Sequence, residues 1–253
     1  MSATVGQIYE LLDGIAPFDL AEDWDNVGLL AGRFETEVST LLCALDLNPE
    51  VLNEAVAKGA QLIVTHHPIL FRGRKNLRET DGEGRLLCAL VRSGIALIAM
   101  HTNYDNAFPG VNDALAAALV LSDVQTLEHA MRIGTPEQAS LAAFSAHVES
   151  VLGGPVRRYG SPDRRLRRVA VMGGAGEDYI PEALAAGADA YLTGEIAYHR
   201  ALDAVDNGLC VLEAGHAATE LPGISALASG LQIAADAVEY NICVLNSEIG
   251  LFC

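Results

Sequence analysis

Basic residues are scarce in this chain: 16 lysines and arginines stand against 33 aspartates and glutamates, a formal net charge of −17 at pH 7. A broad nucleic-acid surface needs clustered cations to displace the counterions of phosphate, so the balance disfavours nucleic acid as a partner. Cysteine is also sparse. Cys43, Cys88, Cys210, Cys243 and Cys253 are odd in number, widely scattered and without a CxxC pair, which argues against a disulfide scaffold or a cysteine zinc site. The first four lie in apolar runs, where a thiol reads as a small buried hydrophobe. No apolar run reaches the roughly 18 residues of a membrane span. Residues 1–7 lack the basic start and apolar stretch of a signal peptide, which predicts a cytoplasmic protein with no membrane partner. Low-complexity segments and flexible linkers are missing too.

What is present is a hydrophobic content of 51% in 253 residues, enough for one large α/β domain or two smaller ones. Apolar spacing predicts a helix over residues 4–15, stopped by Pro17. Strands are predicted at 41–47, 61–65 and 95–100, with a helix after Pro49 and another over 85–91 ended by Ser93-Gly94. This strand–helix alternation is the α/β signature, and the first pair of strands reads as a parallel βαβ unit. Residues 68–77 form a loop containing Phe71-Arg72-Gly73-Arg74-Lys75, and 111–120 is an Ala/Leu-rich helix. The pattern changes near 124–136, with strand-like residues at 124–127 and Gly134-Thr135-Pro136 suggesting a boundary. A second array follows: helix 137–152, strand 169–172, helix 181–186, strand 188–192, a helix holding His199, strand 209–212, helix 217–231 interrupted at Pro222-Gly223, and a last strand over 238–245. The two halves are similar as βα arrays without a sequence repeat.

The chemistry-bearing residues fall just past strand ends. The strand 61–65 delivers His66-His67-Pro68, the strand 95–100 delivers His101 with Asp105, and the strand 209–212 leads to His216 and then Glu220. In open α/β sheets the carboxyl ends of the strands are where ligands are held. Adjacent histidines within a strand would point to opposite faces, but a turn at Pro68 can bring both to one cavity. Alone, a His-His pair is more often ordinary packing; four further groups at strand ends shift the balance to a metal site. His101 is open to three roles: ligand, general acid/base, or a partner that orients a ligand. His216 and Glu220, four apart, share a helical face if the helix begins near Gly215. Glu195 and His199 either line the same site or cap a helix. Gly173-Gly174-Ala175-Gly176 reads as a tight βα turn before a phosphate cradle. Glu22-Asp23-Trp24-Asp25-Asn26-Val27-Gly28-Leu29 reads, on its own, as a packed loop. Arg157, Arg158, Arg164, Arg165, Arg167 and Arg168 admit two readings: a solvated face paired with the many carboxylates, or a phosphate-attracting patch. His129 and His147 have no such company and read as surface or packing residues.

Five of these stretches also carry a resemblance. Trp24-Asp25-Asn26-Val27-Gly28-Leu29, Thr65-His66-His67-Pro68, His101-Thr102-Asn103-Tyr104-Asp105, Thr193-Gly194-Glu195 and Gly215-His216-Ala217-Ala218-Thr219-Glu220 occur in that order over nearly the whole chain. Together they resemble the Nif-three-like dinuclear metal-centre family of GTP cyclohydrolase 1 type 2 homologues, in its compact form without an inserted domain. The resemblance implies two interlinked α/β domains with mostly parallel mixed sheets, 1–126 completed by 217–253 and 127–216. It implies a cleft in which His66, His67, Asp105, His216 and Glu220 hold two divalent metal ions at strand carboxyl ends, with His101 close by. It also implies a toroidal homohexamer, a trimer of dimers.

These readings lead to a metal-dependent hydrolase. A hydroxide bridging two cations would be the nucleophile at neutral pH, His101 the proton-transfer group, and a small anionic, GTP-like nucleotide opened at its imidazole ring the substrate. The alternative is a non-catalytic metal-binding hexameric scaffold or regulatory protein. Mixed His/carboxylate donors suit Zn, Fe, Mn or Ni.

Overall fold

The computed structural model of the chain describes residues 2–249. Cys253 and the last residues of the expected 217–253 segment lie outside them. The chain divides into two compact units, one of residues 1–107 with 224–253, the other of 108–223.

In the first unit β1 (Ala3–Thr4) leads into α1 (Val5–Ile15), followed by β2 (Gly28–Ala31), β3 (Glu37–Val38), β4 (Thr40–Ala44), α2 (Pro49–Ala57), β5 (Leu62–Thr65), α3 (Gly82–Ser93), β6 (Ala96–Ala99) and α4 (Thr102–Asn106). Local sequence explains the boundaries. Thr4 and Gln7 form a reciprocal capping box on α1, Asn48 caps α2 with Pro49 in its first turn, and Gly94 closes α3 in the left-handed conformation. The second unit holds α5 (Val111–Ala118), β7 (Ser122–Thr126), β8 (Arg132–Thr135), α6 (Leu141–Leu152), β9 (Arg157–Tyr159), β10 (Val169–Ala175), α7 (Ile180–Ala185), β11 (Ala190–Glu195), α8 (Tyr198–Asp206) and β12 (Cys210–Glu213). The chain returns to the first unit along α9 (His216–Ala237) and ends in β13 (Cys243–Asn246).

The first unit's main sheet has the order β13-β4-β5-β6-β2, in which only β2 runs antiparallel to its neighbour. Every residue of β5 and β6 is buried, as expected of parallel strands covered on both faces. The second sheet has the order β7-β8-β10-β11-β12-β9, with β10, β11 and β12 parallel and the outer strands antiparallel. Its side chains alternate between two cores. Val169, Val171, Ala190, Leu192, Cys210 and Leu212 pack under α5 and α6. The intervening Ala170, Tyr191 and Val211 pack under α7 and α8. That period of two makes the unit a three-layered sandwich of helix, sheet and helix.

The α/β reading with mixed sheets holds, and several details differ from expectation. The unit boundary falls at 107/108 and 223/224 instead of 126/127 and 216/217. The reason is packing: Leu115 and Leu119 of α5 belong to the second core, and β7 pairs with β8. α9 runs through Pro222 without a break. Strand β2 replaces part of the expected loop after Trp24, because Gly28 and Leu29 pair with Ala99 and Ile98. The expected strand over 238–245 shrinks to β13, and Cys243 on it is exposed. The described cysteines are all free thiols. No described helix is long and apolar enough to cross a membrane.

Candidate metal centre

Three parallel strands of the first unit end together. β4 is followed by Asp46, β5 by His66 and His67, and β6 by Met100 and His101. The turn after Thr65 does what the adjacent histidines require: their rings lie 5.1 Å apart, and each is close to His101, at 5.1 and 5.6 Å. One ring nitrogen from each of His66, His67 and His101 lies within 4.8 Å of the others.

The far side of each ring is held. His66 Nδ1 lies 2.8 Å from the carbonyl oxygen of Met100, His67 Nδ1 lies 2.8 Å from Asp46 Oδ1, and His101 Nδ1 lies 2.9 and 3.0 Å from the two oxygens of Asp25. A carbonyl or a carboxylate only accepts, so each Nδ1 carries the proton and each neutral ring keeps its lone pair on Nε2. This outer-shell arrangement fixes the tautomer and orientation of an imidazole that ligates a metal. His66 is fully buried, and its Nε2 lies 3.7 Å from Asp105 Oδ1. Two electron-pair donors at that separation suit a shared cation. Nitrogen and carboxylate oxygen together form a borderline donor set that fits a divalent transition metal.

Asp25 is the residue that the sequence reading passed over. Trp24, read with it as part of a packed loop, is 59% exposed, while the Asp25 side chain is buried. Burial opposes ionisation of Asp25, yet hydrogen bonds from His101 and from the hydroxyl and backbone N–H of Thr102 outweigh it and hold the carboxyl well below its usual range. The anion is therefore permanent at neutral pH and is a fixed acceptor for the His101 Nδ1–H. Asp46 was also missed. Position past a strand end, the signal that found the histidines, applies to both Asp46 and the Met100 carbonyl.

The second unit presents a different donor set at the carboxyl edge of β10, β11 and β12. His216 opens α9, and its Nε2 lies 3.2 Å from Glu220 Oε1, one turn on, as the four-residue spacing predicts. Its Nδ1 lies 3.4 Å from Glu195 Oε2, so Glu195 lines this group, while His199 is exposed on α8. Glu220 is 5% exposed. Gly173, Gly174 and Ala175 of the glycine run end β10, and only Gly176 lies in the turn that follows. Gly174 has φ +64, and a Cβ there would collide with Glu220 Oε1. Gly194 serves the same end: a Cβ on it would stand 2.6 Å from both the Gly174 carbonyl oxygen and His216 Cα. Thr219 Oγ1 accepts from Gly174 N–H at 3.0 Å and donates to the His216 carbonyl at 2.7 Å, pinning the strand to the helix start.

Three residues of the arginine cluster, Arg157, Arg164 and Arg167, pair with carboxylates. Arg164 and Arg167 converge on the buried Asp189 at 3.5 and 3.6 Å, and its Oδ2 also accepts the backbone N–H groups of Arg167 and Arg168. Arg157 meets Glu213 at 3.3 Å, and Arg168 donates to Gln125. His147 approaches the Leu119 carbonyl at 3.2 Å, and His129 pairs on the surface with Glu182 at 3.2 Å.

The fold and these donors define an α/β protein with a candidate metal centre built at the carboxyl ends of parallel strands. The family follows from comparison. Residues 3–249 match the family model of Duf34/NIF3 (NGG1p interacting factor 3), and the chain belongs to that family. It is 37% identical over 233 residues to the GTP cyclohydrolase 1 type 2 homolog of Streptomyces coelicolor, covering 86% of this chain and 82% of that one. The protein of the same name from Clostridium acetobutylicum is 30% identical over 259 residues, covering 98% and 97%. Among solved structures, a hypothetical protein of Staphylococcus aureus superposes with a TM-score of 0.94 at 31% identity, covering 100% of this chain and 98% of that one.

Proposed function

We propose that this protein is a metal-dependent hydrolase of a nucleotide-like substrate. The observation that supports it most is the set of three imidazoles whose Nδ1 atoms are all tied to acceptors, which turns Nε2 of His66 and His67 to ligation and Nε2 of His101 to proton transfer. His66, His67, Asp105, His216 and Glu220 are the proposed ligands of two divalent cations. Such a pair, when bound, supplies a deprotonated water near neutral pH and a Lewis acid for the substrate.

The remaining chemistry belongs to the protein. His101, backed by the ionised Asp25, accepts a proton at Nε2 and returns it to the leaving nitrogen, and Asp25 stabilises the imidazolium between those events. Met100 and Asp46 keep His66 and His67 in the ligating tautomer. The proposed reaction adds one water across a ring C–N bond of a purine nucleotide, opening the five-membered ring as the relatives' name suggests. Assembly as a hexameric ring is part of the same proposal.

The test is elemental analysis of protein purified without added metal or chelator, beside His67→Ala, followed by a nucleotide-hydrolysis screen. About two metals per chain, fewer in the variant, and turnover lost in Glu220→Gln support the reading. Metal binding without turnover of any purine nucleotide would leave the scaffold alternative in its place.

A further inference from the structure

The loop after Pro68 shapes an open surface cavity of about 660 Å³ lined by Asn26, Phe71, Arg72, Lys75 and their neighbours. Nothing in the ligand set uses it. It nevertheless borders the histidine cluster: the Phe71 ring lies 6.2 Å from His101 and 5.7 Å from Trp24, and Trp24 in turn lies 6.2 Å from His101. Both aromatic side chains are open to solvent, Trp24 at 59% and Phe71 at 44%. Exposing two large aromatics beside a reacting edge costs hydrophobic free energy unless a ligand covers them.

The charge of the loop runs against that of the chain. Arg74 is committed to structure, bound to Asp81 at 2.8 Å and to Glu83 at 2.9 Å, which anchors the loop on α3. Arg72 and Lys75, by contrast, are exposed and engage in no ion pair among the described residues, in a protein with a net charge of −17. One dipeptide couples this loop to the imidazoles. Asp25 holds His101, and Asn26 donates to the Leu70 carbonyl at 2.7 Å, where the loop begins.

We propose that this cavity is a recognition pocket for a phosphorylated molecule with a flat ring, the ring against Phe71, which Trp24 flanks from outside the lining, and the phosphates at Arg72 and Lys75. Aromatic faces bind any planar base, and exposed guanidinium and ammonium groups bind phosphate. The proposal rests on the reading of the His66–His67–His101 edge as the reacting centre, and it supplies the substrate contacts of that reading.

Trp24 is the only tryptophan and packs edge-on against Phe71 at 5.7 Å, so its emission reports a change at the pocket's aromatic wall. Titration of metal-stripped protein with GTP should give saturable quenching, and inorganic triphosphate, which lacks the ring, should bind more weakly. Arg72→Ala/Lys75→Ala should weaken both probes at least tenfold, and Phe71→Leu should weaken GTP alone. Quenching that does not saturate, or equal affinity in the double variant, would overturn the pocket. Normal binding without turnover by metal-replete protein would sink the hydrolase reading and leave the pocket standing. Turnover with an unchanged KM in the double variant would do the reverse.

Discussion

Each sheet carries different chemistry at its own carboxyl edge. In the first unit the carboxyl ends of the parallel strands carry imidazoles, each held from behind by a carbonyl or carboxylate. In the second they carry one imidazole between two carboxylates, with backbone glycines pressed against Glu220. The first edge is tuned by hydrogen bonds, which solvent or a neighbour can partly replace. The second is tuned by close approach, which nothing can replace. Substitutions should therefore fail differently at the two edges.

Gly174→Ala should show the largest effect. The position needs a left-handed backbone and its Cβ would overlap Glu220 Oε1, so strain and displacement add to about 4 kcal/mol of lost stability. Chemical denaturation measures it, and metal content should fall with it. A variant as stable as the parent would mean that the close approach is incidental.

Asp189→Ala comes next and acts at the opposite end of the second sheet. Burial raises the Asp189 carboxyl, but the N–H groups of Arg167 and Arg168 and the Arg167 guanidinium lower it further, to a net depression. A depressed carboxyl stabilises the fold above its unfolded pKa of roughly 4, and that stability drains away as pH falls through the lower folded value. The variant should lose about 3 kcal/mol at neutral pH, with the gap to the parent narrowing in acid. Metal content of the folded variant should be unchanged, which separates a charge cluster that holds the fold from one that holds a ligand.

Much of this was legible in the chain. Buried strands read as apolar runs, and residues just past them fell where parallel strands must deliver them, which placed His66, His67, His101 and His216. The four-residue spacing put Glu220 beside His216. What stayed hidden depends on partners far along the chain. Asp25 lies 76 positions from His101, and nothing local marks it as buried. Gly174 looks like turn glycine until Glu220 is packed on it. The pairing of Arg164 and Arg167 was hidden without Asp189, whose carboxylate also takes the backbone N–H groups of Arg167 and Arg168 from 22 and 21 positions away.

Asp25→Ala tests the first edge. Removing the carboxylate frees the His101 ring to turn and to change tautomer, and losses of this kind cost about 10–100-fold in metal affinity or activity. Isothermal titration with Zn2+ and a pH–rate profile separate the two roles of His101. A ligand would show in affinity; a proton carrier would show in the profile with affinity intact.

Asp46→Ala should be the mildest, and its size decides how far the first edge relies on hydrogen bonds. The geometry matches that of Asp25, since His67 Nδ1 meets Asp46 at 2.8 Å. The surroundings do not: the Asp46 side chain is 48% exposed, whereas that of Asp25 is buried. Water reaches the vacated position at His67 and donates or accepts as needed, and an exposed pair contributes about 1 kcal/mol or less. Metal affinity should therefore fall less than tenfold. A loss as large as that of Asp25→Ala would mean that the carboxylate's charge, and not the orientation of the ring, sets the affinity of this edge. The three imidazoles would then be held by a field shared across the edge instead of by three separate hydrogen bonds.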